Sequence, residues 1–147
     1  MITIRSASLN DIPFLIQLER SCFKYYLIDK KSFARFIKSN SSELFVVEFE
    51  SQIVAYSLMI YRKNSMKARL YSIAVDEKYR KHKIGTRLLT YGEELVRQKG
   101  LREIALEVQI ENTHVIQFYQ KHGYIGKKTM HNYYESGQHA ERMLKTL

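Results

Sequence analysis

The chain contains little of what cross-links or anchors a protein. Its 147 residues include one cysteine, Cys22, so an intramolecular disulfide is excluded. No activating base is evident near this thiol, and we interpret Cys22 as a small core residue. The longest apolar stretches, residues 44–49 and 53–61, are too short to span a bilayer. The N-terminal residues do not resemble a signal peptide, and these absences together predict a soluble cytoplasmic protein.

Linkers, repeats and metal-binding patterns are also missing. No segment is rich in proline, glycine or serine, and no internal repeat is present. With 45% apolar residues the chain can bury a substantial core, so we expect one globular domain over residues 1–147. The five histidines show neither helical HxxxH spacing nor pairing with cysteine, and no metal site is expected.

What the chain does contain is positive charge. Lysine and arginine number 24 against 15 aspartates and glutamates, for a formal net charge of +9. Such an excess favours an acidic partner, and a phosphate-bearing ligand accounts for part of it. RNA, a ribosome surface or an acidic peptide could use the rest, or the charge serves solubility alone. Because no basic run is interleaved with aromatic residues, nucleic-acid binding is not the favoured interpretation, although it stays open.

The stretch from 70 to 89 organises the rest of the sequence. β-branched and aromatic residues at alternate positions from 71 to 75 predict a strand. The basic cluster at 80–83 and Gly85 follow as a turn, and apolar residues at helical spacing then predict a helix over 86–99. The first N–H groups of a helix lack partners within it, so a phosphate can bind there. A solvated basic turn is the alternative interpretation.

The remaining segments alternate between strands and helices. They are a strand near residues 2–4, helices from 12 and over 31–38, strands at 43–50, 52–62, 103–110, 124–133 and 142–147, and a helix from Asn112. The strands before Val75 predict an antiparallel meander. The crossover from Val75 to the strand at 103–110 has a length that favours a parallel pair. The sequence therefore predicts a mixed α/β fold.

Two side chains in the second half are candidates for proton transfer. On a central strand, Glu107 would be a partly buried carboxylate, and burial would raise its proton affinity as a general base requires. On an outer strand it would be an ordinary exposed glutamate. Tyr119, on the helix that follows, keeps its proton at neutral pH and can donate it. Considered alone, Tyr119 is a core aromatic with its hydroxyl at the surface.

The basic turn carries a motif that resembles a known family. The segment Arg-x-x-Lys-Ile-Gly at 80–85, preceded by Ile-Ala-Val-Asp at 73–76, is similar to the acetyl-CoA loop of the GCN5-related N-acetyltransferases (GNAT). The chain departs from that pattern at Lys83, where the family has glycine. The resemblance spans nearly the whole chain, is strongest from Ile73 to Tyr134 and is weak before Ile53.

The second half resembles the same family. Three of its segments are similar to segments of bacterial ribosomal-protein-alanine N-acetyltransferases and related protein N-terminal acetyltransferases. They are Glu-Val-x-x-x-Asn at 107–112, Phe-Tyr-x-x-x-Gly-Tyr at 118–124 and Asn-Tyr-Tyr at 132–134. Those proteins have proline where Glu135 stands. The resemblance implies a GNAT fold, an α+β domain whose mixed, mostly antiparallel sheet of about six to seven strands is flanked by about four helices.

The resemblance also implies a role for each matching residue. Glu107 is expected to act as the base, and Tyr119 as the acid toward the leaving thiolate. The residues expected to bind acetyl-CoA are Ile73, Ala74, Val75, Arg80, Lys81, His82, Lys83, Ile84, Gly85, Thr86 and Asn112. Tyr25, Tyr26 and Tyr133 are expected to line the acceptor site, whereas without the family the first two would equally be packing residues.

Three functional hypotheses follow. The first is an acetyl-CoA-dependent N-acetyltransferase that acts on the α-amino group of a protein, in particular a ribosomal protein. The second is the same transfer to a small amine or a lysine side chain. The third is a basic RNA- or ribosome-binding module that keeps the fold without turnover, and the intact set of Glu107, Asn112 and Tyr119 argues against it. The acceptor and the oligomeric state are not determined by the sequence.

Overall fold

The computed structural model describes residues 1–24, 26–134 and 137–147 of the chain. Seven strands in these ranges form one sheet in the order β1-β2-β3-β4-β5-β7-β6. The strands are β1 (Ile2–Ser6), β2 (Ser42–Phe49), β3 (Gln52–Tyr61), β4 (Lys67–Val75), β5 (Glu103–Gln109), β6 (Ile125–Met130) and β7 (Ala140–Thr146). All neighbours are antiparallel except β4 and β5, which confirms the predicted parallel pair.

Helices cover both faces of this sheet. In the described parts of the chain they are α1 (Ile12–Cys22), α2 (Lys30–Lys38), α3 (Ile84–Gln98) and α4 (Thr113–Lys121), with short 3₁₀ turns at Leu9–Asp11 and Glu77–His82. Pro13 lies in the first turn of α1, where its missing N–H is not needed. Gly100 follows α3 with a positive φ of 79°. None of the helices described has the length and apolar composition needed to traverse a bilayer.

The core is divided between the two faces because side chains alternate along each strand. Leu15 of α1 and Phe33 of α2 pack on one face, against buried residues of β2 and β3 such as Tyr56. Ile84 and Leu88 of α3 pack on the other face. A further cluster joins α3 and α4 to β5 and β7, and it contains Leu89, Val96, Ile104, Leu106, Val108, Tyr119, Tyr124 and Met143.

The sheet opens between β4 and β5. These strands pair over three residues only, from Lys67 opposite Glu103 to Arg69 opposite Ala105. Beyond Arg69, β4 continues to its end without pairing to β5 in the described structure, and β5 likewise continues to Gln109. The two strands therefore diverge toward their C-terminal ends and leave a gap in the middle of the sheet.

Several predicted boundaries differ from the structure by one to three residues, and two of these differences have an evident reason. Helix α3 begins at Ile84 rather than at 86, because Ile84 is already buried against the sheet as the first core residue of the helix. Strand β6 ends at Met130 rather than at 133, because Asn132 takes a positive φ of 53° and breaks the extended backbone. Tyr133 consequently lies in an irregular segment and not in a strand.

Candidate active site

A cavity of about 730 Å³ lies at the gap between β4 and β5. Its wall is formed by the diverging strands, by α1 and the segment after it, by one side of α4 with its N-cap residue and by residues 133 and 134. The members of the predicted site that line it are Ile73, Glu107, Asn112, Tyr119, Tyr26 and Tyr133. The topology therefore brings the two candidate proton-transfer groups to one cavity.

Glu107 lies on the wall of this cavity, on a central strand, with 6% of its side chain exposed. Arg142 of β7 is its direct cross-strand neighbour, and the Nε of Arg142 lies 2.9 Å from Glu107 Oε2. Arg69 Nη2 lies 2.6 Å from Oε1, and the Tyr133 hydroxyl donates to the same oxygen at 3.4 Å. The sequence hypothesis invoked desolvation alone, whereas here two guanidinium groups offset the cost of burying the carboxylate.

Tyr119 faces the same cavity from α4 and is 4% exposed. Its ring packs edge-on against Phe118 and Tyr124. Burial raises the pKa of the Tyr119 phenol above its ordinary value. The hydroxyl therefore keeps its proton throughout the neutral range, as a proton donor must.

The end of β4 and the start of α4 contribute backbone and amide groups. Asn112 is the N-cap residue of α4, makes no side-chain capping bond and lines the cavity. Ala74 is buried among core side chains, so only its backbone can reach a ligand. The carbonyl of Val75 accepts from Arg80 Nε at 3.1 Å and from Cys22 Sγ at 3.4 Å. Cys22, interpreted above as a core residue, is only half-buried and is part of the cavity wall.

The basic turn adjoins the cavity but does not line it. Arg80, Lys81 and His82 are exposed in the last turn of the 3₁₀ segment, at the end of β4. The side chain of Ile84 is buried, and the Thr86 hydroxyl lies 3.1 Å from His122 Nε2. These two residues therefore offer a ligand mainly their backbone amides, at the first turn of α3.

Lys83 explains why the family pattern has glycine at its position. It takes the left-handed conformation, with φ 56° and ψ 31°, between the 3₁₀ segment and α3. A residue with a Cβ pays roughly 1–2 kcal/mol for this conformation. At Gly85 an added Cβ would meet Phe118 at 3.5 Å, which is ordinary contact. The helix N-terminus with exposed cations around it fits a pyrophosphate group.

Aromatic residues close one side of the cavity. The ring of Tyr26 stacks on Tyr134 with centroids 5.1 Å apart, and Tyr133 meets Tyr134 edge-on at 5.0 Å. This aromatic bridge, Tyr26 with Tyr134, joins the segment after α1 to the segment after β6. Tyr25, the other predicted acceptor-site residue, lies outside the described residues.

Sequence reasoning missed three charged residues of this region. Arg69 and Arg142 both form ion pairs with Glu107. Arg142 lies opposite Glu107 in the antiparallel ladder of β5 and β7, and the sequence does not specify that register. Glu19 of α1 is 2% exposed and accepts hydrogen bonds from the Ile28 N–H at 2.7 Å and from the Tyr56 hydroxyl. Burial raises the pKa of Glu19, against the effect of these two bonds.

Comparisons with known proteins agree with this geometry. The sequence model of the Acetyltransferase (GNAT) family matches residues 12–124. An N-alpha-acetyltransferase of Sulfurisphaera tokodaii is 29% identical over 159 aligned positions, covering 98% of this chain and 92% of that protein. A putative [ribosomal protein bS18]-alanine N-acetyltransferase of Bacillus subtilis is 25% identical, with coverage of 98% and 95%. The crystal structure of Ard1 from Thermoplasma volcanium superposes with a TM-score of 0.89 at 25% identity, covering 99% and 97%.

The fold, the cavity at the divergence of β4 and β5 and the family match define an acyltransferase. The chain belongs to the Acetyltransferase (GNAT) family, whose cosubstrate is acetyl-CoA. The predicted fold, enzyme class and cosubstrate are confirmed. Among the described residues, no group of three or more histidine, cysteine, aspartate or glutamate side chains has a geometry suited to a metal ion.

Proposed function

We propose that this enzyme acetylates the α-amino group at the N-terminus of a protein. The observation that carries the proposal is the convergence of Glu107, Asn112 and Tyr119 on one cavity at the strand gap. Relatives named N-alpha-acetyltransferase, similar over almost the whole of this chain, support the acceptor class. The proposal treats residues 1–147 as one catalytic domain and places it in the cytoplasm, where newly made protein N-termini occur.

The α-amino group suits a carboxylate base. Its unperturbed pKa is about 7.7–8.0, against about 10.4 for a lysine side chain, so a sizeable fraction is neutral near pH 7.5. Glu107, directly or through a water, accepts the remaining proton as the nitrogen attacks. Acid–base assistance of this kind contributes typically ~10²–10⁴-fold. The pKa of a lysine side chain is roughly 2.5 units higher, so the same carboxylate would have to deprotonate a much weaker acid.

Tyr119 completes the proton balance. Its buried hydroxyl faces the cavity and donates a proton to the departing sulfur. After the products leave, Glu107 loses its extra proton to solvent and Tyr119 regains one, which returns both groups to their starting states. Holding the amine and the acetyl donor in line supplies a further part of the acceleration.

The cosubstrate fits the adjoining turn. Acetyl-CoA supplies the acetyl group as an activated thioester when bound. The first amides of α3, from Lys83 to Thr86, and the exposed Arg80 and Lys81 would hold its pyrophosphate. Backbone groups near Ile73 and the side chain of Asn112 would orient the arm that reaches toward Glu107.

The acceptor site is proposed to include Tyr26 and Tyr133 on the cavity wall. A ribosomal protein is the more specific form of the proposal, since the similar Bacillus subtilis protein carries that acceptor in its name. A small amine or a lysine side chain is the alternative acceptor within the same chemistry.

Thiol release measured with a panel of acceptors tests the proposal. The panel contains peptides with a free N-terminus and no lysine, the same peptides with a blocked N-terminus and one lysine, and small mono- and diamines. We expect turnover with the first set, including peptides that begin with alanine, and kcat/KM at least tenfold lower with the others. Faster turnover with a small amine, or with the blocked lysine peptides, would overturn the proposed acceptor.

A further inference from the structure

Glu107 is held from both sides of its strand. Arg142 is its direct partner across the antiparallel ladder between β5 and β7. Arg69 is the last residue of the parallel ladder and lies opposite Ala105, two positions before Glu107 on the same face of β5. Ion pairs of 2.9 Å and 2.6 Å result, one to each carboxylate oxygen. The carboxylate can therefore rotate only if one of these pairs breaks.

Arg69 differs from Arg142 because it also holds Tyr133. Its Nη2 lies 2.6 Å from the Tyr133 hydroxyl and 2.6 Å from Glu107 Oε1. The contact between Tyr133 and Glu107 themselves is long, at 3.4 Å. Tyr133 follows Asn132, which has a positive φ, and is not held by a strand. The bond from Arg69 is thus the shorter of the two that hold the Tyr133 hydroxyl at the cavity wall, the other being the bond to Glu107.

The guanidinium group itself is well placed for this task. It lies over the ring of Tyr71 at 5.7 Å, and its Nε is buried without an acceptor among the described residues. A buried donor without a partner is costly, and folds retain such a group where it has another use. Nη2 carries two N–H donors, so this one nitrogen can donate to a carboxylate oxygen and to a hydroxyl at once.

We propose that Arg69 is a positioning residue that fixes Glu107 and Tyr133 relative to each other, so that the acceptor amine meets the base in line. The inference rests on the proposed function. Arg69 acts on the acceptor half of the site, because the turn that would hold the acetyl-CoA pyrophosphate lies beyond Val75. A misplacement of about 1 Å at such a site can cost on the order of 10²-fold in rate.

Steady-state kinetics of three variants test this inference. Arg69→Met should lower kcat about 10–100-fold with the acceptor, while the KM for acetyl-CoA stays within twofold of wild type. Tyr133→Phe should also lower kcat. Because Arg69 acts through Tyr133 and Glu107 together, the Arg69→Met/Tyr133→Phe double variant should lose clearly less than the product of the two single losses. Arg97→Met removes an exposed ion pair on α3 and should leave kcat unchanged.

Other outcomes would overturn the inference. These are an unchanged kcat in folded Arg69→Met, losses that multiply in the double variant, or an effect confined to the KM for acetyl-CoA. If Arg69→Met does not fold, Arg69→Gln takes its place under the same criteria. Wild-type turnover tests the proposed function separately. If the wild type prefers a small amine, that function fails, and the ratio of variant to wild-type kcat measured with the amine still decides the role of Arg69.

Discussion

Glu107 and Glu93 have similar hydrogen-bonding partners but differ in their access to the cavity. Each is a buried carboxylate, with side-chain exposures of 6% and 8%, that accepts from a tyrosine and from a cation. Glu93 of α3 bonds the Tyr124 hydroxyl at 2.9 Å and Lys145 at 3.1 Å. Glu107 bonds Tyr133, Arg69 and Arg142. Glu107 lines the cavity, whereas Glu93 is not among the residues described as lining it.

The difference shows that access, and not the set of partners, separates a structural carboxylate from a candidate base. Glu93 ties α3 to Lys145 of β7 and to Tyr124, which lies between α4 and β6 and is enclosed in the core. Glu107 faces an opening that exists because β4 and β5 stop pairing after Arg69. The same substitution in each carboxylate therefore tests different properties.

The largest effect is expected for Glu107→Gln. The amide cannot accept the amine proton, so kcat/KM should fall about 10²–10⁴-fold in a thiol-release assay. The matched Glu93→Gln should instead lower Tm, while activity per folded molecule stays within about threefold of wild type. If Glu93→Gln inactivated a folded enzyme as strongly as Glu107→Gln, the contrast between the two carboxylates would be lost.

The next effect is expected for the paired tyrosines. Tyr119→Phe should lower kcat about 10²-fold, with the affinity for acetyl-CoA nearly unchanged, because the phenol acts on the leaving sulfur. Tyr124→Phe leaves Glu93 without one donor and should cost about 1–3 kcal/mol of stability. Calorimetry and kinetics on both variants separate the roles, and an unchanged rate for Tyr119→Phe removes Tyr119 from the acid role.

A third carboxylate sharpens the comparison through pH. Burial raises the folded-state pKa of Glu19 above its ordinary value of 4.5. Its stabilising contribution is therefore fully present below the unfolded pKa and is lost as pH rises through the folded one. Urea unfolding at several pH values should show Glu19→Gln gaining stability relative to wild type from pH 4 to pH 7. If the difference in unfolding free energy between the variant and wild type stayed constant across this range, burial would not raise the pKa of Glu19.

The smallest effect is expected in the basic turn, whose residues do not line the cavity. Lys83→Gly removes the cost of about 1–2 kcal/mol that a side chain adds to the left-handed conformation. Part of this gain is offset because glycine raises the conformational entropy of the unfolded chain. We expect Tm to rise by about 2–4 °C with kcat unchanged. The exposed Lys81→Ala is the control, since Lys81 lies before the left-handed position. A lower Tm for Lys83→Gly would show that the lysine side chain makes a stabilising contact.

Most of the fold was accessible from the sequence because its signals are local. Alternation over 103–110 and helical spacing after Gly85 predicted β5 and α3 to within about two residues. The length of the crossover predicted that β5 runs parallel to β4. The positions of Glu107 and Tyr119 on one cavity agree with their predicted pairing, although their catalytic roles stay predictions.

The parts that escaped prediction depend on contacts between distant segments. Arg69 and Glu107 meet only because the β4–β5 ladder ends where it does. Glu19 reads in the sequence as a charged residue of an amphipathic helix, yet it is enclosed by Tyr56 and the backbone of Ile28. No periodicity distinguishes such residues from solvated ones.

The aromatic bridge between Tyr26 and Tyr134 has an optical consequence. The chain has 11 tyrosines and no tryptophan, so light absorbed by the enzyme is re-emitted by phenol rings alone. An acceptor peptide that carries one tryptophan near its first residue would accept excitation from those two rings when it enters beneath them. A loss of tyrosine emission, with a matching gain of tryptophan emission above that of the free peptide, would report occupancy without any label on the enzyme.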